Sequence, residues 1–109
     1  MTTEYSEIFC PYFDEKVALT EERVEHIRKQ HPDLLPEHRK FIDEVIQKPD
    51  SIRRSKRMIN GYLFTKWCAE VQNGKHITVV IVSEASRKWV ITSYISRKLP
   101  QGDVIWTKD

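Results

Sequence analysis

The chain has 109 residues, 39% hydrophobic and 31% charged, with eleven aromatics and three glycines. That size suits one domain over residues 1–109. The composition excludes a disordered tail and any membrane partner that would need about 20 consecutive apolar residues. The net charge is only +2, yet residues 1–50 carry 7 basic and 12 acidic side chains and residues 51–109 carry 11 and 4. The second half could attract a phosphate backbone, or be no more than a basic solvated surface.

The start, Met1–Glu7, lacks the basic residues and apolar run of a signal peptide, so the expected location is cytoplasmic. Cys10 and Cys68 lie far apart without a CxxC or a Cys/His ligand spacing. Free thiols are expected, with no metal site and no cofactor.

A short strand at Val17–Leu19 leads into a first helix that Thr20 can cap, with Glu21 and Glu22 at its positive end. Leu19 and Val24 are spaced to clamp that cap. Pro32 stops the helix near Gln30 or His31. Val24, Ile27 and position 31 form its apolar stripe, so His31 falls on the buried side and His26 turns away. Pro36 opens a second helix with inner positions Phe41, Ile42, Val45 and Ile46, and Pro49 ends it. From Ser51 onward, β-branched and aromatic residues predict strands near 51–59, 62–71, 76–83 and 88–97. Val17–Leu19 and Val104–Thr107 could extend the edges. The expectation is an α+β domain: two N-terminal helices packed on one face of a four-stranded antiparallel meander.

Asn60-Gly61 and Asn73-Gly74 are hairpin signals. As two-residue loops they set Arg53 opposite Cys68, Trp67 opposite Val80 and Lys66 opposite Ile81. One face then collects Ile52, Met58, Leu63, Trp67, Val80, Val82, Trp89 and Ile91, for the helices to cover. The other collects Arg53, Ser55, Arg57, Tyr62, Phe64 and Lys66, joined by Thr92, Tyr94 and Ser96. Cations, hydroxyls and rings on one open face suit a phosphate-bearing ligand. A polar sheet face standing in water without function is the plainer alternative.

His26-Ile27-Arg28-Lys29-Gln30-His31-Pro32, Val45–Ile52 with its Lys48-Pro49-Asp50 core, and Val90-Ile91-Thr92-Ser93-Tyr94 together form a pattern. It resembles the phage-associated nuclease families of the barnase/EndoU/colicin/RelE-like superfamily, the BECR fold, over residues 17 to about 99. The resemblance implies helices packed on a four-stranded antiparallel sheet and metal-independent cleavage of RNA. By position it implies His26 and His31 as the helix histidines. Arg53 or Arg54 and Lys66 would be the strand cations, with Thr92 and Tyr94 on the last strand. It also implies an inhibitor or antitoxin protein, since free RNA cleavage harms the cell that makes it.

RNA cleaved without a metal supplies its own 2′-hydroxyl as nucleophile and leaves 2′,3′-cyclic phosphate ends. One group removes that proton, another protonates the leaving oxygen, and cations balance the phosphate. Histidine suits the proton transfers. His31 sits at a helix C-terminus, which favours a cation, although by itself a packed histidine bonded to a backbone carbonyl is the plainer reading. Arg53 and Lys66 would clamp the phosphate, with Arg57 and Ser55 nearby, and Thr92 and Tyr94 would orient it or donate a proton. Trp106 fits a core, stacking or partner role. The rival reading is a silent domain of the same fold that binds RNA or a protein through the basic face.

Overall fold

The computed structural model describes residues 5–109. In chain order the elements are β1 (Tyr5–Cys10), β2 (Glu15–Thr20), α1 (Glu21–Gln30), α2 (Arg39–Gln47) and β3 (Ser51–Arg54). They are followed by β4 (Gly61–Cys68), β5 (Lys75–Ser83), β6 (Lys88–Ser96) and β7 (Asp103–Thr107). The strands form one sheet in the order β1-β2-β6-β5-β4-β3-β7. It is mixed, because β2 meets β6 in parallel at Ala18 and Trp89. The expected four-stranded antiparallel sheet behind two leading helices is therefore incorrect. A hairpin precedes the helices, and β7 is added at the far edge beside β3.

The hairpin follows from alternation. Ile8 and Cys10 of β1, with Val17 and Leu19 of β2, all point into the core. Thr20 ends β2 and caps α1, its Oγ1 accepting the Arg23 N–H at 3.2 Å. α1 continues from β2 alongside β6, burying Ile27, and the Arg23 guanidinium donates to the Ile91 carbonyl at 3.4 Å. α2 begins at Arg39 rather than Pro36, after a turn that buries Leu34 and Leu35. It lays Phe41, Ile42, Val45 and Ile46 against β1, β4 and β5. Each such side chain contributes roughly 1.5–3 kcal/mol on full burial. No helix among the described residues is long and apolar enough to cross a membrane.

The registers differ from expectation in a way that reassigns the faces. Arg53 pairs with Leu63, not Cys68, because residues 55–60 form a wide loop. Ser55 Oγ accepts the N–H groups of Arg57 (3.2 Å) and Met58 (3.0 Å), and Gly61 already belongs to β4. The odd-numbered slip exchanges the faces of β3 relative to β4. Trp67 pairs with His76 rather than Val80, an even slip that keeps parity. There Gln72, Asn73 and Gly74 all have positive φ, and the Trp67 ring lies so close to Gly74 that a Cβ would stand 2.4 Å from it. Finally, Val80 pairs with Thr92 but Ile81 with Val90, leaving Ile91 as a bulge. That bulge moves Thr92, Tyr94 and Ser96 to the opposite face from the one expected.

The core face therefore carries Phe64, Ile77, Val79, Ile81 and Val90, from the side expected to lie open, together with Ile52, which was expected on the covered one. The hairpin tip closes one end of it. Phe13 stacks edge-on against Tyr62 at 5.0 Å between centroids, and Tyr12 against Phe64 at 6.1 Å. The other face carries Arg53, Leu63, Thr65, Trp67, Thr78, Val80, Thr92 and Tyr94.

Candidate functional site

This second face is partly roofed. β6 and β7 lie on opposite sides of β5, β4 and β3, so their connection (residues 97–102) must cross the sheet. Pro100 and Gln101 pass over Leu63 and Tyr94, and the Gly102 carbonyl accepts from Arg53 Nη1 at 3.5 Å. Gly102 has φ near +150°, and a Cβ there would stand 2.5 Å from the Arg54 carbonyl oxygen. The crossing passes tightly over β3 because position 102 has no side chain.

Beneath it lies a cavity of about 290 Å³ lined by Ser55, Lys56, Arg57, Leu63, Tyr94, Pro100 and Gln101. Ser55, Lys56 and Arg57 come from the β3–β4 loop rather than from a strand. Tyr94 is fixed by the β5–β6 pairing, directly opposite Thr78. Thr78 is fully buried, and its hydroxyl has no hydrogen-bond partner among the described residues. Thr92 shares Tyr94's face, two residues earlier on β6.

His31 reaches the same tyrosine from outside the sheet. It is the C-cap of α1, held by its N–H to the Ile27 carbonyl at 2.7 Å. Its ring centroid lies 6.0 Å from that of Tyr94. Tyr94 is thus shared: the His31 ring approaches it, and it lines the cavity together with Lys56 and Arg57. His26 is half-exposed and lies about 140° round the helix from His31 at 100° per residue.

The expected cluster is otherwise divided. The register exchange puts Arg53 on Tyr94's face, where it is tied to the Gly102 carbonyl. Lys66 belongs to the Phe64 face, and its ammonium donates to the Lys48 carbonyl at 3.1 Å and stands 3.8 Å from Asp50. Lys66 therefore cannot clamp a phosphate beside His31 and Tyr94. Sequence reasoning missed Lys56, Pro100 and Gln101 as cavity walls. A connection forced across three strands would have pointed to the last two.

Cys10 and Cys68 are free and buried. Burial pushes the Cys68 thiol up to about 11, against the opposing pull of the Lys66 ammonium. Among the described residues, no three His, Cys, Asp or Glu side chains gather where they could hold a metal ion. Compared with protein-family models, curated proteins and solved structures, the chain matches none.

Proposed function

We propose that this chain is a small endoribonuclease that cuts RNA by general acid–base catalysis without a metal. The observation that carries the reading is the 6.0 Å approach of His31 to Tyr94, a residue that itself lines a cavity with Arg57, Lys56 and Ser55. His31 and Tyr94 divide the two proton transfers. One takes the proton of the ribose 2′-hydroxyl as its oxygen bonds to phosphorus. The other delivers a proton to the 5′-oxygen as the P–O5′ bond breaks. Arg57 and Lys56 balance charge on the phosphoryl oxygens, Ser55 and Thr92 orient them, and the product ends are a 2′,3′-cyclic phosphate and a 5′-hydroxyl. The enzyme works in the cytoplasm, where its substrate is, under an inhibitor protein.

The test is incubation of the purified chain with single-stranded RNA in excess EDTA. Cyclic phosphate ends are expected, with His31→Ala strongly impaired. Intact RNA would end the cleavage reading. A second reading, RNA binding without cleavage, is favoured by two observations: Lys66 lies on the other face, and Arg53 is occupied by a carbonyl. Intact RNA bound in a salt-sensitive manner would select it.

A further inference from the structure

The Phe64 face has a basic pocket of its own at its margin, away from His31 and Tyr94. It is a cavity of about 480 Å³ whose lining includes Lys48, Lys66, Lys108, Tyr12, Trp106 and Pro49. Four separate parts of the fold build it. α2 ends at Gln47 with Lys48 as its C-cap, and Pro49 turns the chain into β3. β4 supplies Lys66. The β3–β7 pairing sets Trp106 opposite Ile52 and carries Lys108 beyond the strand end. The β1–β2 turn brings Tyr12 edge-on to Trp106, 6.4 Å between centroids.

Asp50 organises the charges. Burial alone would raise its carboxyl. The Trp67 N–H (2.8 Å) and the ammoniums of Lys108 (3.2 Å) and Lys66 (3.8 Å) outweigh that, holding it below the usual aspartate range. Two ammoniums are thereby held at one wall. Three lysines against one carboxylate leave the pocket a net cation. A helix C-terminus would ordinarily repel an anion. Here the Lys66 ammonium bonds to the Lys48 carbonyl and offsets that field.

We infer that this pocket binds a single nucleotide, with the phosphate among Lys48, Lys66 and Lys108 and the base against Tyr12 and Trp106. The volume is that of a small-ligand site. A phosphate alone would leave the rings unused, and an uncharged aromatic would leave the excess cations uncompensated. Ammonium groups beside aromatic rings match the phosphate-and-base chemistry of a nucleotide. The inference stands apart from the cleavage reading, since no pocket residue lies on Tyr94's face.

The experiment is a titration of the full chain with adenosine 5′-monophosphate, followed by the NMR signal of the Trp106 indole N–H. Adenosine and inorganic phosphate serve as half-ligand controls. Saturable movement of that signal is expected, with binding at least about tenfold tighter than to either half. The double variant Lys48→Glu/Lys108→Glu, its fold checked by circular dichroism, should lose about tenfold or more. Tyr12→Ala should weaken the nucleotide but not phosphate. An unmoved Trp106 signal, equal affinity for nucleotide and phosphate, or indifference to the charge reversals would overturn the inference. A short oligodeoxyadenylate, which lacks the 2′-hydroxyl needed for self-cleavage, separates the sources. Tighter binding than the mononucleotide marks a strand subsite, and equal or weaker binding a free nucleotide.

Discussion

His31 and Tyr94 meet across the margin of the sheet, one closing a helix and the other in mid-strand, with their rings 39° from parallel. The meeting depends on α1 running beside β6 where β2 has ended, so that the helix C-cap falls level with Tyr94. His31→Ala and Tyr94→Phe should each reduce RNA cleavage by about 10²–10⁴ if each carries one proton transfer. The rate of cyclic phosphate formation under single-turnover conditions measures it. Loss in neither variant would place the chemistry elsewhere.

Arg57 and Lys66 should separate cleanly in the same assay. Arg57 lines the cavity at Tyr94, whereas Lys66 is bonded to the Lys48 carbonyl on the opposite face. Arg57→Ala is expected to slow cleavage by at least about tenfold more than Lys66→Ala does. The reverse order would contradict the face assignment.

Gly102→Ala should destabilise the fold by about 1–3 kcal/mol, because its methyl would collide with the Arg54 carbonyl and its φ is one that side chains resist. Urea denaturation followed by tryptophan fluorescence measures the loss. A neutral result would mean that the crossing connection relaxes away from β3 at little cost.

Asp50 gives a pH dependence whose sign is fixed. Its carboxyl is lowered in the folded chain, so its contribution is present above the ordinary aspartate value and is lost as pH falls through the native one. Asp50→Asn should cost about 1–2 kcal/mol at neutral pH, and the gap should close below about pH 4. Denaturation of both proteins across that range is the check, and a constant gap would show that the charge is irrelevant.

The buried thiols should be inert in the native state. Burial raises both Cys10 and Cys68. Neither is expected to react quickly with a disulfide reagent at pH 8, and both should do so in urea. Rapid native labelling of either would mean that its surroundings open readily.

Local chemistry was readable where one residue type settles one choice. Thr20 caps α1, Pro32 and Pro49 bound the helices, and Phe41, Ile42, Val45 and Ile46 form the buried stripe of α2. Register was not, because it depends on competitions that residue identity leaves open. Ser55 drew the loop N–H groups to itself, and Gly61 entered β4 instead of turning the chain. The bulge at Ile91 left no mark in a uniformly strand-forming run. These two odd displacements carried Arg53, Thr92 and Tyr94 together to the other face and left Lys66 behind. His31, Tyr94, Ser55 and Arg57 were each legible as polar candidates. Their meeting depends on a helix–strand alignment and a loop that spacing alone does not encode. Lys48 and Lys108 come together only because residue 51 pairs with residue 107.

That last pairing bears on when the molecule becomes competent. Trp106 and Lys108 wall one pocket, while Pro100 and Gln101 wall the other. Neither pocket is complete until residues 100–108 have been laid across the sheet and along β3. Local hairpins such as β3–β4 and β4–β5 can form early, but the outer edge of β3 must wait for β7, a contact about fifty residues away whose closure is intrinsically slow. Both pockets thus take shape late in folding, after the sequence-local hairpins, when β7 docks on β3.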